Sequence, residues 1–259
     1  MAVFRRLLRF KSLIMHMLRY PNRNIKLIVA AFRFSKSQNV GSNLQKILIR
    51  FLDLINIFNQ LSKKQRVIEF GSGSSTYFFL SHPKVIALHT FEQSSQWLPR
   101  IKGSWERNWS VTVNQMSQEM VNSIPVLRFM NYSQSVQSSN VIYIDGPATP
   151  EDPNLKVALP NEEILRVKEL RDKVILVDCR VLTVLRLAEY LFETHSVYLS
   201  AAVEHELELL RQTSGDKSKN QKVSFEINPH CKLFPSKQTN LIRTTLFMPK
   251  ALPIKWQDL

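Results

Sequence analysis

The spacing of apolar residues changes character along the chain. Leu44, Ile47, Leu48, Phe51, Leu52, Ile55 and Phe58 fall three or four residues apart and predict an amphipathic helix. After Lys63 and Lys64 the apolar residues gather into short runs, which predict strands at 66–70, 85–90, 110–114, 141–145 and 174–178. Helical spacing returns between them, at 75–80, 93–100, 162–172 and 182–193. Strands alternating with helices imply an α/β domain with a Rossmann-like, doubly wound and mostly parallel sheet. Segments 197–199, 223–227 and 241–248 are again strand-like, with a polar loop at 213–222. No crossover helix is evident between the last two, so an antiparallel C-terminal hairpin on the sheet edge is expected.

The first residues follow another pattern. Phe4, Leu7, Leu8, Phe10, Leu13, Ile14, Met17 and Leu18 are interleaved with arginines at roughly helical spacing, up to Tyr20. Pro21 ends that helix or begins a second one. A polar stretch at 35–42 then separates a basic, helical N-terminal extension, 1–42, from a main domain, 43–259. There is no internal repeat.

Charge sharpens that division. The net charge is +14, yet eleven bases and no acid precede Asp53, so the rest of the chain is nearly neutral. This is a basic arm on a neutral body, unlike a domain that binds nucleic acid over its whole surface. A basic, apolar-striped arm suits peripheral contact with an anionic membrane. RNA binding, a subunit contact, a solvated extension and an organellar transit peptide are the other readings. No apolar run near the N-terminus approaches the ~20 residues of a spanning helix, and no secretory signal pattern follows the early arginines. With 259 residues, 44% of them hydrophobic, the chain can bury a sizeable core and is neither disordered nor collagen-like. Two cysteines, Cys179 and Cys231, make no disulfide framework or four-cysteine zinc site, which suits a reducing, cytoplasmic setting.

Candidate chemistry starts at one turn. Two of the six glycines stand in Val67-Ile68-Glu69-Phe70-Gly71-Ser72-Gly73-Ser74-Ser75-Thr76, where a strand runs directly into a helix. Glycines there let a ligand approach the backbone, and free amides at the helix start favour a negative group. The turn lacks the Gly-Lys-Ser/Thr ending of a phosphate loop, and Thr76 replaces the third glycine of a dinucleotide fingerprint. Glu92 closes the next strand about twenty residues on, where an acid can accept hydrogen bonds from a ribose diol.

Together these residues resemble the class I S-adenosylmethionine-dependent methyltransferases, in particular bacterial small-molecule and glycan-pathway members with an E-F-G-S-G-x-S-T motif. Phe91-Glu92 with Trp97, Ile144-Asp145-Gly146-Pro147, and Asp178 with Arg180 match further motifs of those relatives, and the likeness spans roughly residues 44–249. The resemblance implies S-adenosylmethionine as cofactor and a hydroxyl oxygen of a small molecule, sugar or glycolipid intermediate as acceptor. It implies Gly71 and Gly73 under the cofactor, Glu69 facing its ammonium, Ser75 and Thr76 at its carboxylate, Glu92 on the ribose, and Trp97 near or beneath the adenine. Asp145 and Asp178 are then the candidate catalytic carboxylates, with Asp145 beside the transferred methyl. Metal-dependent relatives carry an Asp-Asp or Asp-Asn pair where this chain has Asp178-Cys179. A divalent metal shared by Asp145 and Asp178 is therefore disfavoured, a thiol being a poor ligand for magnesium. An RNA methyltransferase using the arm, and a non-catalytic Rossmann-like interaction protein, are the alternatives.

Other constellations fall away. The six histidines show no His-x-x-x-His spacing, and there is no Gly-x-Ser-x-Gly elbow. Asn228-Pro229-His230 follows a late strand and lacks the second proline and aromatic of an amino-directed methyltransferase motif. Trp105 and Trp109 suit packing better than stacking. The prolines 147, 150, 153 and 160 mark a loop placed to cover an acceptor, leading into a helix capped by Asn161.

Overall fold

The computed structural model describes residues 44–99, 108–113, 117–121, 124–129, 133–146, 170–213 and 229–252. The basic extension, the proline-rich loop and the 223–227 segment lie outside the described residues.

The first described element is α1 (Leu44–Gln60). It is amphipathic, and Ile47, Phe51, Leu54, Ile55, Ile57 and Phe58 are buried against one face of the sheet. Each such side chain contributes about 1.5–3 kcal/mol of burial. Two of the eleven early bases, Lys46 and Arg50, belong to this helix and not to the extension before it.

Then follow β1 (Gln65–Phe70), α2 (Ser74–Ser81), β2 (Val85–Glu92) and β3 (Trp109–Val113). After these come β4 (Ser117–Val121), β5 (Ile124–Arg128), α3 (Ser133–Ser138), β6 (Val141–Ile144) and β7 (Val174–Asp178). The chain continues through α4 (Val181–Leu191), β8 (His195–Tyr198), α5 (Ala201–Thr213), β9 (Lys232–Phe234), α6 (Ser236–Thr239) and β10 (Thr244–Pro249). Among the described residues eight strands form one sheet in the order β3-β2-β1-β6-β7-β10-β8-β9, and β4 and β5 make a separate antiparallel pair. The architecture is an α/β, Rossmann-like, mostly parallel sheet.

Alternate residues of each central strand feed opposite cores. On β6, Ile142 and Ile144 join the cluster under α4 and α5, while Val141 and Tyr143 join the one under α1 and α2. Burial on both faces is why these strands read as continuous apolar runs.

Three expectations are revised. The predicted helix at 93–100 is only a 3₁₀ turn at Ser95–Trp97, begun by Ser94, whose side chain accepts from the Gln96 amide. At the end of the predicted 162–172 helix, Leu170 to Asp172 are not helical, and the rest lies outside the described residues. The C-terminal antiparallel pairing is present, but inward of the edge: β10 runs against both β7 and β8, and β9 lies outside β8, parallel to it. A helix, α5, follows β8, and its polar stretch had masked it.

Strand order reverses between β1 and β6. From β1 the chain builds outward through β2 and β3, then returns to β6 on the other side. In open α/β sheets the ligand crevice lies at that switch point, outside the carboxyl ends of the strands.

Candidate active site

The crevice floor is backbone against backbone. Gly71 has φ +88°, and a Cβ there would lie 2.5 Å from the Gly146 amide nitrogen. A Cβ on Gly146 would lie 2.6 Å from the Gly71 Cα. Both positions therefore require glycine, and the Ile-Asp-Gly segment after β6 is as tightly specified as the turn after β1. The Gly71 amide donates to the Phe91 carbonyl at 2.8 Å, and the Asp145 and Gly146 amides donate to the Phe70 carbonyl at 2.9 and 2.6 Å. Three strand ends are thereby tied together. Gly73 differs: its backbone is extended, and a Cβ would meet nothing within 4 Å. The space over this residue is open.

The acids of the β1–β2 side are held by neutral donors. Glu69 is fully buried. Ser75 Oγ and Thr76 Oγ1, in the first turn of α2, donate to its two oxygens at 2.6 and 2.7 Å, and Thr90 Oγ1 donates at 3.0 Å. Burial pushes its carboxyl up to about 8, against the opposing pull of these hydroxyls. Ser75 and Thr76 thus spend their hydroxyls on Glu69 beneath the turn, and Thr76 Oγ1 also accepts from the Gly73 amide at 3.0 Å. Glu92 is 4% exposed. One of its oxygens accepts from the Ser72 amide and hydroxyl, both at 2.7 Å, and the other from the amides of Gln93 and Ser94 at 2.6 and 3.2 Å. It clamps the turn after β1 to the loop after β2. Trp97 does not pack beneath the site: 52% of it is exposed, and its carbonyl accepts from Ser72 Oγ at 3.0 Å.

The acids of the β6–β7 side are held by arginines. Arg50 of α1 places Nη1 2.9 Å from Asp145 Oδ2 and Nη2 2.5 Å from Asp178 Oδ2, and donates from Nη1 to Ser74 Oγ at 3.1 Å. Arg243, just before β10, donates from Nε and Nη2 to Asp178 at 3.3 and 3.4 Å. Arg180 Nε donates to the Asp145 backbone carbonyl at 3.1 Å. The two carboxylates differ in access: the Asp145 side chain is 24% exposed and that of Asp178 is wholly buried. Burial opposes the charge of Asp178, but Arg50 and Arg243 outweigh it and hold the carboxyl below its ordinary value. Burial raises Asp145; Arg50 pulls it back and the charge of Asp178 pushes it up. Cys179 follows with φ +50°, an uncommon conformation for a side chain of its kind, and burial pushes its thiol up to about 12.

Behind this cluster, Asp53 of α1 accepts the amides of Ile242, Arg243 and Thr244 at 2.6–3.1 Å. Burial pushes its carboxyl up to about 7 against these amides. Among the described residues no three His, Cys, Asp or Glu side chains converge as metal ligands.

Sequence reasoning missed Ser72, Ser74, Arg50, Arg243 and the role of Gly146. A signal for Arg50 was present: it stands three residues after Ile47 and four before Leu54, on the apolar face of the helix, where a charge has to be paired.

No family model and no curated protein matches the chain. Solved structures similar to it include Thermoplasma acidophilum 1320 (9% identity, covering 86% of this chain and 96% of that one, TM-score 0.38). Cofactor-bound Rv0187 from MTB is 14% identical, with 86% and 88% of the two chains covered and a TM-score of 0.35. A Klebsiella pneumoniae protein provisionally described as an O-methyltransferase is 14% identical, with 86% and 89% covered and a TM-score of 0.34. No described helix is long and apolar enough to cross a membrane.

Proposed function

We propose that this chain is an S-adenosylmethionine-dependent methyltransferase acting on a hydroxyl oxygen of a small molecule, sugar or glycolipid intermediate. The observation that carries the reading is the switch point of the sheet, where the Gly71–Gly146 backbone contact lies between Glu92 at the end of β2 and Asp145 at the end of β6. The motif resemblance supplies the cofactor class, and the acceptor class rests on that resemblance alone.

The residues suit the cofactor. The open space over Gly73 and the exposed Trp97 ring leave room for a nucleoside, and Glu92 has the chemistry to exchange its Ser72 contacts for ribose hydroxyls. Ser75 and Thr76 contribute through the amides of the α2 start, since their hydroxyls serve Glu69. Glu69 lies under the turn as a buried acid whose ionisation a bound ammonium group would favour. When bound, the cofactor supplies an electrophilic sulfonium methyl group. Asp145, the carboxylate with solvent access, orients the acceptor hydroxyl and takes its proton. Asp178, enclosed by Arg50 and Arg243, positions that arrangement without touching the acceptor.

Calorimetry with S-adenosylhomocysteine tests the reading. The wild type is expected to bind, and Glu92→Ala to lose about 1–3 kcal/mol of affinity, the range for charge-assisted hydrogen bonds. No binding by the folded wild type removes the proposal. Asp145→Asn is expected to keep binding and melting temperature while losing most turnover on an acceptor found by screening sugars, lipid-linked sugars and RNA.

A further inference from the structure

Two carboxylates meet at the ends of the adjacent strands β6 and β7, and together they require a cation. Arg50 contacts both side chains, at 2.9 Å to Asp145 Oδ2 and 2.5 Å to Asp178 Oδ2. We propose that the Arg50 guanidinium is the resident cation of this site, standing where a divalent metal would bridge the two acids and holding Asp145 in position. The catalytic half of that statement rests on the proposed methyl transfer; the cation half does not.

Geometry and chemistry agree on this. A magnesium or calcium ion bridging the same two oxygens would need the volume that the guanidinium fills, since its bonds to oxygen are only ~2.0–2.6 Å long. Arg50 has little room to withdraw. It rises from a helix whose neighbouring turns are anchored by Ile47, Phe51 and Leu54, all buried, and Ser74 Oγ accepts from the same nitrogen that faces Asp145. Further metal ligands are also poor: the residue beside Asp178 is a thiol, and Arg243 already donates to both oxygens of the Asp178 carboxylate. A planar fork with fixed donors orients a carboxylate in a way that an exchangeable, hydrated ion does not. Arg50 is thus a positioning residue, and its charge belongs to the site and not to the basic extension.

The test uses the full chain and Mn²⁺ alone, read by electron paramagnetic resonance. Wild type is expected to leave the free Mn²⁺ signal undiminished through the millimolar range. Arg50→Met, which strips the carboxylates of their cation, is expected to bind Mn²⁺ at least about tenfold more tightly, and Arg50→Lys to fall between, because a point charge cannot bridge both acids. Near-ultraviolet circular dichroism establishes that each variant is folded. Arg50→Met folded but no better at binding Mn²⁺ than wild type overturns the proposal. So does a wild type that takes up one equivalent of Mn²⁺ lost in Asp145→Asn, a result that stands even if Arg50→Met fails to fold. Neither readout needs cofactor or acceptor, so a chain that shows the expected Mn²⁺ pattern and no S-adenosylhomocysteine binding keeps Arg50 as the cation and loses methyl transfer. With an acceptor in hand, wild-type turnover is expected to be unaffected by a chelator, and Arg50→Lys to lower kcat about tenfold or more with cofactor KM little changed.

Discussion

The two sides of the crevice neutralise buried acids by different means. Toward β2, Glu69 and Glu92 are met by hydroxyls and amides from segments within 21 residues of each acid. Toward β7, Asp145 and Asp178 are met by guanidinium groups brought from α1 and from the start of β10, as far as 128 residues away. Neutral donors leave an acid free to take up a proton or to turn toward an incoming ligand. Arginines hold both carboxylates in a set geometry, and at Asp178 they hold the charge as well. The first arrangement suits a surface that binds and releases something; the second suits one that must hold a reacting group in place.

The backbone contact joining the two sides is where the comparison breaks most completely. Gly71→Val and Gly146→Ala each place a carbon inside backbone atoms, so a loss of about 3 kcal/mol or more, or failure to fold, is expected by urea denaturation. Gly73→Ala is the control and is expected to stay within about 1 kcal/mol of wild type.

Next in size is the contrast between charged and neutral donors. Asp178→Asn leaves Arg50 and Arg243 without their common anion and is expected to cost about 3–5 kcal/mol. Glu69→Gln keeps the shape, and its hydroxyl partners can rotate to accept, so a cost under about 1.5 kcal/mol at pH 7 is expected. Equal costs at the two positions would erase the distinction.

Acidity separates the two sides further. Glu69 has an ordinary value of 4.5 and is raised to about 8 in the fold. Between those values the native state holds a proton that the unfolded state has lost, so stability from this group is full below 4.5 and declines as pH rises through about 8. Asp53, raised to about 7, acts in the same sense. Asp178 is lowered, so its contribution is complete above 3.8 and is lost as pH falls through its folded value. The melting temperature of Glu69→Gln relative to wild type is accordingly expected to climb from pH 5 to pH 9. A difference independent of pH would place the ionisation elsewhere.

The smallest effect belongs to Trp97. Half exposed, it is expected to change stability by less than about 0.5 kcal/mol when replaced by alanine, while S-adenosylhomocysteine binding weakens measurably by calorimetry.

How much was legible in the sequence follows the same division. The turn after β1, Glu92 and Asp145 could be read because strand-to-helix transitions and strand-end acids are local patterns. The orientation of Ser75 and Thr76 toward Glu69 was not, since nothing in the order of residues says which side of the turn a hydroxyl faces. Arg50 was counted with the arm because charge was tallied along the chain, whereas α1 carries it into the site. Strand β10 was recognised as a strand but not as an interior one: Leu246 and Phe247, buried on opposite faces, are adjacent apolar residues that an edge strand with one solvated face does not need.

That interior position governs how the domain can assemble. Until residues 244–249 insert, β7 ends in an open edge, and β8 with β9 has nothing to pair with. The inserted strand is also tied to α1, because Asp53 receives the three amides that lead into β10 from 189–191 residues away. Closing so long a loop is slow compared with forming the local strand–helix units. Without that insertion the β7 edge, Val174–Asp178, is unpaired and strongly apolar, the kind of edge on which self-association begins.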